Sequence, residues 1–269
     1  MKKLLFVLTI LVLVTGIVFA GGSQSTLQRI QRTGKLVLGT SADYPPYEFV
    51  IMQNGQPTIV GFDIEIAGEI ARDLSAHLGR EVTLDIRDIG FDGLLQALNS
   101  NRVDIVIAGM TPTPERMESV DFSIIYYRAE QGIMIRAEDR DRFTTLESLA
   151  GRTIGAQLAT TQEGIAQEDL PNSRLVSLGR IPDLVLELQN RRIDALIIEK
   201  PVAEGYVRSN PDLMIAPMIV GDEDAGSAVA IRKGNQDLVD LINTTLRRLM
   251  NDGSIDRFVA EANLLVDNQ

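Results

Sequence analysis

The chain predicts an α/β protein of two lobes, each a mixed, mainly parallel sheet flanked by helices. Three observations carry this. Short apolar runs alternate with amphipathic stretches from Gly34 onward. The same series restarts after Tyr126-Tyr127. The segment from Ser227 adds a strand and two helices beyond what the second series needs, which returns the chain to the first lobe. Parallel strands separated by helices need both faces of the sheet covered, hence the α/β class.

The elements follow in order. Lys35–Thr40 (KLVLGT) is a short strand. Gly61–Leu78 places Phe62, Ile66, Ile70 and Leu74 four apart, with Ala67 and Ala71 beside them, which is one face of a helix. Val82–Ile86 is a strand, Phe91–Leu98 a helix and Val103–Ala108 a buried strand. In the second series Gly132–Arg136, Thr153–Gln157, Leu175–Leu178 and Ala195–Ile198 are strands. Helices fill Thr145–Ala150, a stretch beginning near Thr160, and Pro182–Gln189. One strand, Ser227–Arg232, and helices Gln236–Met250 and Ile255–Ala262 close the chain. No low-complexity linker divides the series, so two short crossings near Tyr127–Glu130 and Val220–Ala225 are expected to form a hinge. The expected division is 21–127 and 222–269 for the first lobe and 128–221 for the second.

Residues 1–20 read as a cleavable secretory signal: Lys2-Lys3, an apolar run to Phe19, then small residues at Val18 and Ala20 before a polar stretch. The chain holds no cysteine, so neither a disulfide nor a lipid attached through cysteine is available. The mature chain is expected to be secreted and free of a lipid tether. Net charge is −11, and −13 once Lys2 and Lys3 leave with the signal, which argues against nucleic acid as a partner. A single histidine, His77 among polar neighbours, offers no triad or histidine-rich metal site, so no cofactor or metal is expected.

The chemistry concentrates at strand ends. In Thr111-Pro-Thr-Pro-Glu-Arg116, Thr113 reads as an N-cap and Pro114 as the first helical residue, placing Arg116 in the first turn after a strand that ends near Gly109. Ligands of open α/β sheets bind at that end, and an arginine there can grip a carboxylate with two parallel hydrogen bonds. Spacing alone allows equally a surface pair with Glu115 or Glu118. Thr160-Thr161-Gln162-Glu163 reads as a capping box after the strand TIGAQ. By itself it is more simply a structural cap, but its backbone N–H groups and two hydroxyls match an anion cradle once paired with the one at Arg116. Prolines 45 and 46 stiffen a loop presenting Tyr44 and Tyr47, and Phe91 opens a helix.

GTSADYPPYEF (39–49), VGFDIEIAGEIA (60–71), FDGLLQAL (91–98), VDIVIAGMTPTPER (103–116), VDFSIIYY (120–127), TIGAQLATTQE (153–163) and IDALIIEKPVAEGY (193–206) together resemble the polar amino-acid solute-binding proteins of ABC importers. The resemblance spans nearly all of the chain beyond the leader. It implies a type II periplasmic-binding-protein clamshell that closes on a free amino acid and delivers it to a membrane permease, without catalysis. By motif it implies Arg116 for the α-carboxylate, helped by Thr111 and the Thr161 amide. It implies the Gly109 carbonyl for the α-ammonium, and Tyr44 and Phe91 around the ligand side chain, with Tyr47 nearby. Met110 and Thr160 fall in the same motifs. Glu199 stands where the family usually has Asp, the partner of the α-ammonium. Ser41 stands where several relatives that bind basic amino acids have Asp. The SADYPPYEF loop, Gln131 and Gln157 resemble arginine-binding members, so arginine is favoured, with Glu48 and Gln157 reaching its guanidinium. Glutamine or another polar amino acid is next. The rival is a dehydratase-like enzyme on the same fold, using Glu199 or Glu48 as a general acid.

Overall fold

A computed structural model describes residues 25–221 and 225–268. The expected signal lies outside the described residues. The first sheet has the order Thr83–Asp88, Lys35–Thr40, Ile105–Val106, Ala230–Arg232, Val120–Phe122. Its first three strands are parallel, and Ala230–Arg232 runs antiparallel to both neighbours. The second sheet repeats that plan as Arg174–Leu178, Thr153–Gln157, Ala195–Glu199, Gln131–Arg136, Leu213–Ile215. Its first three are again parallel, and Gln131–Arg136 is antiparallel to both neighbours.

Between the sheets the chain crosses twice as a ribbon, Tyr127–Arg128 paired antiparallel with Gly226–Ser227. A lone bridge, Gln131 to Val220, continues it. This splits the expected strand Ser227–Arg232. Gly226–Ser227 serves the ribbon, and Ala230–Arg232 serves the first sheet. The break comes at Ala228-Val229, where the Ala228 N–H donates to the Met110 carbonyl and the Val229 N–H to Ser123 Oγ.

Other elements differ at their edges for local reasons. Val103–Ala108 keeps only Ile105–Val106 in the ladder, because the Asp104 carboxylate takes the Val37 N–H and Gly109 turns left-handed at φ 56°. Phe91–Leu98 begins as a 3-10 turn, Phe91–Gly93, before helix Leu94–Asn99. Thr145–Ala150 contains a 3-10 turn at Leu146–Leu149, and the last helix extends over Ser254–Asp267. Several elements lacked a sequence expectation, among them helix Thr26–Thr33, the hairpin Glu48–Gln53 with Gln56–Val60, strand Val120–Phe122, helix Lys200–Ser209 and strand Leu213–Ile215.

An apolar cluster runs through both lobes, from Leu36, Leu38, Phe62 and Ile66 to Met134, Leu184 and Ile198. Separate clusters cover the far face of each sheet, around Leu94 and Val106 in one lobe and Ile135 and Phe143 in the other. The final two helices pack on Phe62–Leu78, where Arg248 bonds Glu69 (2.8 Å) and Asp73 (2.9 Å).

Candidate functional site

The C-terminal ends of both sheets face a cleft. The first lobe lines it with Ser41, Asp43, Tyr44, Glu48, Phe91, Ala108, Gly109, Thr111 and Arg116, and the second with Gln157, Thr160, Thr161 and Gln162. Contacts bridge the lobes around it. The Arg180 guanidinium donates to Asp88 (2.9 Å), the Ile181 N–H to Asp43 (3.1 Å), and the Tyr206 hydroxyl to the Asp43 carbonyl (2.9 Å). The clamshell is shut.

Arg116 is the cation lining this cleft, and it is half-buried. The Thr113 hydroxyl caps its helix, Pro114–Ser119, by accepting the Arg116 N–H. Its Nη1 donates to the Thr111 carbonyl (2.7 Å) and its Nη2 across the cleft to the Ala159 carbonyl (2.8 Å), while the guanidinium lies 5.3 Å from the Phe91 ring centre. Among the described residues no carboxylate lies within ion-pair distance of it, so the surface pairing with Glu115 or Glu118 does not form. Burial lowers its pKa to about 10, only partly opposed by Glu115. A partly desolvated guanidinium with spare donors and no anion has the chemistry to accept a carboxylate.

Across the cleft, the helix Thr161–Asp169 begins without a side-chain cap. The expected capping box is not formed. The Thr160 hydroxyl turns back to the Gln157 carbonyl (2.6 Å), and Glu163 accepts the Ala159 N–H (2.9 Å) instead. The structure corrects the reason for an exposed helix end there while leaving its N–H groups uncapped by side chains. Gln157 lines the cleft with its amide donating to the Gly179 carbonyl (3.1 Å).

Four sequence candidates sit behind the wall, Tyr47, Met110, Gln131 and Glu199. Tyr47 is fully buried, stacked against Phe62 at 4.4 Å and Tyr127 at 5.5 Å, so it supports Tyr44 from behind. Met110 enters the core with Phe91 and Leu94, because the left-handed turn at Gly109 redirects the chain. Gln131 accepts a hydrogen bond from Gln162 (2.8 Å), and it is Gln162 that reaches the cleft.

Acids surround the other end. Glu199, at the end of strand Ala195–Glu199, lies one layer behind Tyr44 with Oε2 unpartnered. Burial raises it to about 7, against the opposing side chains of Tyr47 and Gln131. Glu48 is fully buried with neither oxygen bonded. Sequence reasoning missed Asp43 and Asp63. Asp43 lines the cleft and accepts from Ser41 Oγ (3.1 Å), and burial lifts it to about 6 despite Arg180. Asp63 is buried beneath Gly109, also at about 6 by burial. In sequence Asp63 looks like an ordinary acid in a helix's first turn, so no signal marked it; Asp43, between Ser41 and Tyr44, could have been found from its place in the loop.

Two sheets closing on a buried cleft, joined by a two-stranded ribbon, define a two-lobed small-molecule-binding protein. The chain belongs to the bacterial extracellular solute-binding proteins, family 3, whose model matches residues 36–261. It is 38% identical over 262 residues, 96% of each chain, to the arginine-binding extracellular protein ArtP of Bacillus subtilis (strain 168). An amino acid ABC transporter substrate-binding protein from Streptococcus pneumoniae, bound to L-arginine, superposes with a TM-score of 0.84 at 34% identity, covering 89% of this chain and 98% of that one. The ancestral amino acid-binding protein AncCDT-1, a precursor of cyclohexadienyl dehydratase, superposes at 0.76 with 33% identity, covering 88% and 98%. The family resemblance read from the motifs and the type II two-lobed fold both stand.

Proposed function

We propose that this protein is the extracytoplasmic receptor of an ABC importer and that it closes on free L-arginine. The carrying observation is the charge pattern of the closed cleft. One end holds a half-buried cation without an anion; the other gathers buried acids, of which, among the described residues, only Asp43 has a cation near it. Arginine supplies one carboxylate and two cationic groups, which complements that pattern, and the arginine-binding relatives point the same way.

In this reading Arg116 and the Thr161 N–H hold the α-carboxylate beside Thr111 and Thr160. The Gly109 carbonyl and the field of Glu199 receive the α-ammonium. Tyr44 and Phe91 flank the aliphatic stem. Asp43, Ser41, Gln157 and Gln162 surround the guanidinium. Each lobe contributes only part of the set, so ligand contacts are complete in the shut form alone and the ligand favours closure. The ribbon Tyr127–Arg128 with Gly226–Ser227 is the hinge, with 21–127 and 222–269 forming one lobe and 128–221 the other. The mature protein is a free, periplasmic monomer that hands its ligand to a membrane permease.

The test is a thermal-shift screen of free amino acids on protein refolded after ligand removal. A ligand at 100 times its Kd adds about 2.7 kcal/mol. Arginine giving the largest shift supports the reading; no shift from any amino acid refutes it. Glu199, raised to about 7, favours one second reading, acid catalysis in the cleft. NMR of arginine after prolonged incubation distinguishes the two, since a receptor returns it unchanged.

A further inference from the structure

Glu48 opens a strand and Asp63 lies in the first turn of the helix Phe62–Leu78, yet the backbone sets them side by side. The Phe62 N–H donates to the Pro46 carbonyl (3.1 Å) and the Asp63 N–H to the Tyr47 carbonyl (3.0 Å). This approach requires Gly61, where φ is 128° and an added Cβ would lie 2.1 Å from the Tyr47 oxygen. Both acids are fully buried.

Their partners differ. Asp63 Oδ2 accepts the Gly109 N–H (3.0 Å) and Oδ1 accepts the Tyr126 hydroxyl (2.8 Å). The positive end of the helix adds to that stabilisation. Neither oxygen of Glu48 meets a donor. The carboxyls that bear on Glu48 are Asp63, Asp43 and Glu199, and the Tyr44 and Tyr126 phenols also couple to it; none of these is a cation. Two bare carboxylates cannot share such a space, so a proton is held between them. Asp63 has donors to stabilise its anion and Glu48 has none, which assigns the proton to Glu48.

We propose that Glu48 is a neutral carboxylic acid donating its proton to ionised Asp63, and that its role is to position the ligand cradle and not to pair with a ligand cation. Through Asp63 the pair fixes Gly109, which lines the cleft, and Tyr126, which precedes the crossing strand Tyr127–Arg128. Burial, then Asp63, pushes Glu48 well above the ordinary carboxylate range. The guanidinium partner on this side of the cleft is therefore Asp43. The protonation rests on burial, on the backbone approach at Gly61 and on the two carboxyls' differing partners; the effect on ligand choice rests on the amino-acid-binding reading above.

Infrared spectroscopy of the intact protein at about pH 9 tests the proton, because acids at about 6 and about 7 are then ionised. The expected result is a protonated-carboxyl C=O band that vanishes in Glu48→Gln. In Tyr126→Phe, which removes one donor from Asp63, that band should shift. No band in the wild type, or an unshifted band in Tyr126→Phe, overturns the proposal even where Glu48→Gln fails to fold. Calorimetry with arginine and citrulline, its neutral isostere, tests the role. Glu48→Gln should alter the arginine-to-citrulline affinity ratio by less than about threefold, whereas an ion pair is worth roughly tenfold or more. A loss of that size in the ratio refutes positioning. Failure of the wild type to bind either compound refutes the receptor reading but leaves the infrared result standing.

Discussion

Lowering the pH should weaken arginine binding, and Glu199 sets the scale. In the unliganded cleft burial holds its pKa at about 7, against an ordinary value of 4.5. That displacement corresponds to about 3 kcal/mol of unfavourable burial of the charge. A cation about 6 Å away, at an effective dielectric of about 20, returns about 3 kcal/mol, so a bound ammonium restores the ionised form. Binding below pH 7 must therefore expel a proton, and arginine affinity falls as pH drops through that value. Between pH 8 and pH 5 the loss from this one group is roughly 100-fold. Calorimetry in two buffers of different ionisation enthalpy counts the released proton directly. Glu199→Gln should bind more weakly at pH 8 and show a flatter profile. A Kd that stays constant from pH 8 to pH 5 with no proton release would refute the assignment of Glu199 to the ammonium.

Three further outcomes are expected. Arg116→Ala removes the half-buried cation that has no anion of its own, so binding of every amino acid should fall by about 2–5 kcal/mol, and calorimetry retaining wild-type affinity would show the anchor lies elsewhere. Arg180→Ala cuts the lobe-to-lobe contact with Asp88, whose side chains are 34% and 41% exposed, so affinity should drop by no more than about 1 kcal/mol while small-angle scattering shows a more open unliganded form. Without ligand, stability should rise as pH falls from about 8 to about 5. Asp43, Asp63 and Glu199 all have folded values raised above the unfolded ones, so the folded state takes up protons first in that window, and a thermal midpoint that falls instead would contradict their raised values.

The sequence by itself determined the α/β class, the repeated plan of the two sheets and most of the strand and helix centres. Those depend on local periodicity: the spacing of Phe62, Ile66, Ile70 and Leu74, or the apolar run at Ala195–Ile198, is readable without knowing any neighbour. The same holds for the cap at Thr113, which puts Arg116 at the strand end. Motif order was enough to reach the family. What the sequence alone did not decide was depth. Tyr47, Met110 and Gln131 carry the same residue types as a ligand-facing wall, yet each lies one layer behind it, because side-chain direction depends on the turn at Gly109 and on packing across the ribbon. The capping box at Thr160 matched its pattern and did not form, since Gln157 and Ala159 offered that turn other partners. Asp43 and Asp63 became site residues only when folding buried them beside Ser41 and Gly109. Charge without solvent is a property of the assembled cleft, and only the tertiary structure could place one cation at one end and the acids at the other.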